Sequence, residues 1–257
     1  MKKFWTDEVE YLFDLNGFVV FKNYFAQEKI TKLTQELIAL DGLEVLPNPL
    51  VYGKAKTEQL SYISNIAEAS STFRDIIKDE GLNEVMHNTM GGYYRFNHSY
   101  AISHGLGGYT TMHMGGAPLH PKAIYTVQSG SIFSSLTKVV IPLENHTESD
   151  GCFCVVPGSH KSNFQFGNEF NLQHPKDHPY CTALPAEPGD MIIFTEALQH
   201  GGLENISGRK RRTIYYCFSL GNAVDWGGDL GPFCSDDLIN NSDDTIRDIV
   251  SIKGRIK

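Results

Sequence analysis

Hydrophobic positions in the first half of the chain repeat in two ways. "GFVVF" (17–21) is a short apolar run opened by Gly17 and predicts a strand. In "AQEKITKLTQELIAL", Ile30, Leu33, Leu37 and Leu40 recur three and four apart, the stripe of an amphipathic helix. "STFRDIIKDEGLNEVMHNTM" predicts a second helical stretch, broken near Gly81. Stripes of this kind need a partner surface.

From about residue 93 the pattern changes to short β-type runs. Strands are predicted in "YYRFNHSYAI", "SIFSSLTKVVIPL", "GCFCVVP", "DMIIFT" and "RRTIYYCFSL", with turns in "ESDG", "PGSHKSN" and "EPGD". No helical patterns alternate with these strands, which argues against a parallel α/β sheet. An antiparallel sandwich or barrel follows, with the N-terminal helices packed on one outer face. In "RRTIYYCFSL" the alternation puts Ile214, Tyr216, Phe218 and Leu220 on one face, suited to contact with helices. Arg211, Thr213, Tyr215 and Cys217 form the other face, suited to a barrel interior holding a polar ligand. "SDDLINNSDDTIRDIVSIKGRIK" predicts a short helix and a polar end.

Composition narrows the function classes. Hydrophobic residues make up 41% and charged residues 20%, a globular balance. The net charge of −8 argues against a nucleic-acid partner, and "GRKRR" (208–212) is too short to reverse that. No run approaches the roughly 18 apolar residues of a membrane span. Acidic residues interrupt "MKKFWTDEVEYLF" where a signal peptide would be apolar, so a cytoplasmic location is expected. Cysteines stand at 152, 154, 181, 217 and 234. Cys152 and Cys154 would share one strand face; buried thiols are the preferred reading over a zinc or redox pair.

Most of the ten histidines need no functional role. His160, His174 and His178 lie in polar turns and are expected at the surface, and His87, His104 and His146 default to structural roles. His113 and His200 stand apart through their surroundings. After His200 come two glycines, which let a ligand approach the backbone, and then Arg211, with Thr213 on the same strand face. Arginine holds a carboxylate by two parallel hydrogen bonds, and a nearby hydroxyl can add a third.

The chain resembles the phytanoyl-CoA dioxygenase (PhyH) family of Fe(II)/2-oxoglutarate oxygenases. The likeness rests on "NGFVVFKNYF" followed by a helix, "DGCFCVVPGSHKS" (150–162), "PGDMIIF" (188–194) and "HGGLENISGRKRR" (200–212). It implies a mainly β fold with α, a double-stranded β-helix (jelly roll, cupin-like) with N-terminal helices packed on one sheet. Residues 1–257 would be a single domain: a helical layer mainly over 1–90, a core over about 91–222 and an extension over 223–257. The resemblance makes His113 and His200 iron ligands and Arg211, helped by Thr213, the partner of the far carboxylate of 2-oxoglutarate. Pro157, Gly158, Ser159 and Asp190 look like scaffold turns. The implied reaction consumes oxygen and 2-oxoglutarate and oxidises an aliphatic C–H bond of a small molecule.

The family's His-x-Asp/Glu pair is here His113-x-Gly115. Met114 is a poor substitute, since a thioether suits Fe(II) badly. Three readings stay open. A chloride could fill the position, as in the 2-oxoglutarate-dependent halogenases that a small residue after His-x resembles. A carboxylate from elsewhere or a water could complete the shell and give hydroxylation. Glu196 is the nearest such carboxylate, although an exposed turn residue or a partner orienting a histidine would look the same. Third, the metal site could have decayed, leaving a non-catalytic ligand-binding jelly roll. "HMGG" could also be a turn that re-aims His113 through Gly116, and His120 is an alternative ligand or a loop residue. Phe96, His98, Tyr100 and Ile102 would share one strand face, lining the barrel near 2-oxoglutarate or packing as an aromatic face. Substrate identity and oligomeric state are not legible.

Overall fold

The chain's first helix starts at a threonine and stops at a glycine. In the computed structural model, which describes residues 3–54, 56–113, 123–164, 174–223 and 234–253, α1 (Asp7–Asn16) is capped by Thr6, whose hydroxyl accepts from Val9 N. Gly17 closes it with a φ of 83°, a conformation that costs glycine little. The hydrophobic pattern does not reveal α1, because Tyr11, Leu12 and Leu15 stay exposed and only Phe13 is buried. β1 (Phe18–Phe21) and α2 (Gln27–Asp41) follow, with Ile30, Leu33 and Leu37 buried as predicted and Leu40 half-buried.

β2 (Val51–Tyr52) and β3 (Leu60–Ser64) precede α3 (Ser71–Arg74) and α4 (Glu80–Thr89). The break between these helices falls before Asp79, which caps α4 by accepting from Leu82 N. Gly81 lies inside the first turn instead of at the break, where a Cβ would strike the Phe4 ring. The other strands are β4 (Tyr94–His104), β5 (Thr110–His113), β6 (Tyr125–Gln128), β7 (Ser131–Ser134), β8 (Leu136–Pro142), β9 (Phe153–Val155), β10 (Thr182–Leu184), β11 (Met191–Thr195), β12 (His200–Gly202) and β13 (Arg211–Leu220). The predicted C-terminal helix is two, α5 (Asp236–Asn241) and α6 (Asp244–Val250), each opened by its own side-chain cap, Ser235 and Asp243.

Antiparallel pairing builds a seven-stranded sheet in the order β1-β11-β8-β13-β4-β3-β2 and a four-stranded sheet β10-β9-β12-β5, with β6-β7 as a hairpin. The fold is mainly β, a jelly roll whose larger sheet carries the helices on its outer face. β13 shows both layers. Ile214, Tyr216 and Phe218 share a core with Leu33, Leu37, Phe73 and Val85, while Tyr215 and Cys217 pack with Phe153 and Val155 between the sheets. The Tyr216 hydroxyl also donates to Phe73 O at 2.7 Å, tying this strand to the helical layer.

β4 departs from strict alternation. Cys217 of β13 lies opposite His98 and Phe218 opposite Phe96, so Asn97 is an extra residue on β4. A bulge of this kind resets which face each side chain takes. Phe96 therefore joins the helix-facing core, not the face of His98, Tyr100 and Ile102, which line the interior. Asn97 Nδ2 donates to Ser219 Oγ at 2.9 Å, which fixes the bulge.

Two histidines expected in solvent are buried. His178 is 4% exposed, and His160 is wedged against α1, with Nε2 3.0 Å from Asp14 O and its ring edge-on to Tyr125. Burial pushes the His160 pKa down to about 4. His174 is half-buried beside Tyr109, the rings 4.2 Å apart.

Candidate active site

β12 and β5 are neighbours, and their register sets His200 directly opposite His113. Both rings face the space between the sheets, with centroids 4.1 Å apart. The register then shifts between His200 and Gly202, leaving one extra residue on β5. Thr110 and Thr111 accordingly both reach the cavity.

Each ring is oriented by a backbone carbonyl two residues earlier. His113 Nδ1 lies 2.8 Å from Thr111 O, and His200 Nδ1 lies 2.8 Å from Leu198 O. A carbonyl only accepts, so Nδ1 carries the proton and each Nε2 keeps its lone pair. Burial lowers both pKa values, and His113 lowers that of His200 further. Neutral, oriented imidazoles are the metal-binding form.

Glu196 joins them from the turn after β11. Among the described residues, His113, Glu196 and His200 are the one group of three histidine, cysteine or acidic residues whose ligand atoms all lie within 4.8 Å of one another. Glu196 Oε2 is 3.9 Å from His200 Nε2, a distance set by the turn that brings residues four apart together. The carboxylate is 4% exposed, and its charge is met by Lys138 of β8, whose Nζ is 2.8 Å from Oε2. Burial alone would lower the Lys138 pKa, but Glu196, helped by Cys217 and Tyr62, outweighs it, so the pKa is raised and the ammonium stays charged.

Removing one partner of a buried pair strands the other charge. Lys138→Met is therefore expected to lower stability by about 3–5 kcal/mol, read from the urea midpoint. A wild-type midpoint would show that the pair does not hold this part of the fold.

The histidines open onto a cavity of about 470 Å³. Tyr62, Tyr100 and Tyr215 stack across three strands of its floor, with successive centroids 5.0 and 4.6 Å apart. His98 stacks on Tyr100, and burial, then Lys138, pushes its pKa down to about 3. Phe153 and Phe194 flank His200 at 5.7 and 4.5 Å between centroids and give the site dry walls.

Arg211 is fully buried at the start of β13 and does not itself line the cavity. One guanidinium nitrogen donates to Gly151 O and another to Nδ1 of His104 at 2.5 Å; His104 does line the cavity. Burial and then Arg211 push the His104 pKa down to about 3, so a neutral ring accepts this bond. Among the described residues, the remaining Nε has no hydrogen-bond partner and no carboxylate forms an ion pair with Arg211. Thr213 Oγ1 is buried, and its side chain interacts with the Tyr215 hydroxyl. Gly202 leaves room for the guanidinium, since a Cβ there would stand 3.1 Å from two of its nitrogens.

The structure thus brings together His113, His200 and Glu196, with His98 and Tyr100 on the facing sheet. Arg211 and Thr213 lie behind the cavity lining. Met114, Gly115, Gly116 and His120 are outside the described residues. Sequence reasoning missed Lys138, His104 and Tyr62. Lys138 did leave a signal, as the lone charge in the apolar strand "LTKVVIP". His104 left none, because its partner is on another strand.

The family model for phytanoyl-CoA dioxygenase (PhyH) matches residues 13–213. No curated protein matches the sequence significantly. Among solved structures, HygX from Streptomyces hygroscopicus with nickel and 2-oxoglutarate bound is similar at 21% identity and a TM-score of 0.74, over 90% of this chain and 97% of that one. The HygX structure that also holds hygromycin B gives 18% identity, a TM-score of 0.72 and the same coverage, 90% and 97%. SnoK, a non-heme alpha-ketoglutarate-dependent carbocyclase from nogalamycin biosynthesis, is 15% identical with a TM-score of 0.63, over 85% of each chain. At these identities the likeness is one of fold.

Proposed function

The chain belongs to the phytanoyl-CoA dioxygenase family, and on that premise we propose that it hydroxylates an aliphatic C–H bond of a small molecule, using iron(II), 2-oxoglutarate and oxygen. The observation that carries this reading is Glu196: a carboxylate within 4.8 Å of two neutral imidazoles fits the two-histidine, one-carboxylate donor set of such iron sites. The Nε2 atoms of His113 and His200 would hold the metal with Glu196, whose carboxylate takes the part of the residue that Gly115 cannot supply. Iron(II), when bound, supplies oxygen activation coupled to conversion of 2-oxoglutarate to succinate and carbon dioxide.

The rest of the chemistry is positioning. Arg211 is a buried cation with an unused Nε and no carboxylate partner among the described residues, a costly state that an anion relieves. The far carboxylate of 2-oxoglutarate supplies that anion, with Thr213 Oγ1 as a further donor. The stacked tyrosines present flat apolar surface to the substrate carbon skeleton, while Phe153 and Phe194 keep water from the histidines. That HygX is seen with hygromycin B bound agrees with a small-molecule substrate.

A second reading is favoured by the Lys138–Glu196 ion pair of 2.8 Å. If Glu196 stays with Lys138, a halide would complete the metal's shell in its stead and the product would be halogenated. Turnover with chloride present and absent separates the two. Hydroxylation predicts one succinate per hydroxylated product, unchanged by chloride, and a chlorinated product excludes it. Gly115→Asp sharpens the contrast: a halogenase shifts toward hydroxylation, whereas an enzyme already using Glu196 is disrupted. The opposing class, a ligand-binding jelly roll without turnover, predicts no oxygen uptake from any iron-loaded mixture.

A further inference from the structure

The outward face of the smaller sheet carries a second cluster, made of sulfur. Met112 precedes His113 on β5 and Gly201 follows His200 on β12, so alternation turns them away from the cavity-facing rings. Cys154 of β9 lies opposite Gly201, and Cys181 stands just before β10. Met112 and Cys154 are wholly buried, whereas Cys181 is half-buried and gives access from solvent. Met112 Sδ is 3.8 Å from Cys154 Sγ and 4.0 Å from Cys181 Sγ. The two thiols also interact with each other, which raises the pKa of Cys154 and lowers that of Cys181. A Cβ at residue 201 would stand 3.0 Å from Met112 Sδ, so glycine there leaves the thioether its room.

We propose that Met112, Cys154 and Cys181 form a binding site for one soft monovalent metal ion, of which copper(I) is the biological example. Thiolate and thioether donors select this class of cation. With metal–sulfur bonds of about 2.3 Å, three sulfurs in a trigonal plane stand about 4.0 Å apart, close to the 3.8 and 4.0 Å from Met112 Sδ to the two thiols. Zinc fits less well, because its sites are built from four nitrogen, oxygen or thiolate ligands. The described residues place no third cysteine, histidine or carboxylate with Cys154 and Cys181 within 4.8 Å. Binding moves no electrons: the cation replaces thiol protons, which pass to solvent.

The test is an anaerobic titration of the full chain with copper(I) against a chromophoric copper(I) chelator, with the ligands identified by X-ray absorption. The expected result is one copper(I) per chain bound by three sulfurs. Cys181→Ser, at a half-exposed position that leaves the fold intact by circular dichroism, is expected to weaken binding at least about 100-fold. Met112→Leu, which keeps the core volume, weakens it about 10-fold, and Cys234→Ser leaves it unchanged. The proposal is overturned if the chelator keeps all the copper, if folded Cys181→Ser binds like wild type, or if nitrogen and oxygen dominate the absorption spectrum. Formation of a Cys154–Cys181 disulfide in place of copper uptake overturns it as well.

Discussion

Glu196→Ala is expected to lower iron(II) affinity by at least about 100-fold and to abolish 2-oxoglutarate turnover. Residues that only orient metal ligands cost about 10- to 100-fold when removed, so loss of a donor itself sits at or beyond the top of that range. The substitution also strands the Lys138 ammonium, buried at 6% exposure, and lowers stability by a separate route. The double variant Glu196→Ala/Lys138→Met separates the effects, because it removes both charges. It should recover much of the urea midpoint and none of the iron affinity, measured by competition with a chromophoric chelator. Wild-type iron affinity in either variant removes Glu196 from the metal. If chloride alone rescues binding in Glu196→Ala, the halide reading gains what the hydroxylase reading loses.

The second large effect is expected at Arg211. Two charge-assisted hydrogen bonds to a carboxylate contribute about 3 kcal/mol together, roughly 100-fold in Kd for 2-oxoglutarate. Arg211→Lys keeps the charge and loses the planar fork, so it should raise the KM for 2-oxoglutarate while kcat at saturation is largely recovered. Arg211→Ala should abolish measurable binding by anaerobic calorimetry. It also removes the donors to Gly151 O and His104, so circular dichroism must show that the variant folds. Unchanged succinate formation in folded Arg211→Ala would sink the cosubstrate assignment.

The layers of this fold were legible wherever hydrophobic period and burial agree. Ile30, Leu33 and Leu37 gave α2, and the alternation over 211–220 placed Ile214 and Tyr216 against helices and Tyr215 and Cys217 between sheets. Phe96 went to the wrong face because a bulge at Asn97 depends on pairing with β13, which no local pattern records. Short strands such as β5 and β12 escaped for a similar reason: the His113–His200 register, not the sequence around either residue, defines them. His113 and His200, the proposed metal ligands, were singled out by their neighbours in sequence. Lys138 was not, since its meaning depends on Glu196, which reaches it through the end of an adjacent strand.

A structure of the protein crystallised anaerobically with iron(II) and 2-oxoglutarate tests the central claim most directly. The expected result is iron bound by Nε2 of His113, Nε2 of His200 and the Glu196 carboxylate, with the far carboxylate of 2-oxoglutarate on Arg211 and Thr213. Iron that leaves Glu196 on Lys138 and takes a chloride beside Gly115 would contradict the hydroxylase account, and iron bound away from the two histidines would contradict the site itself.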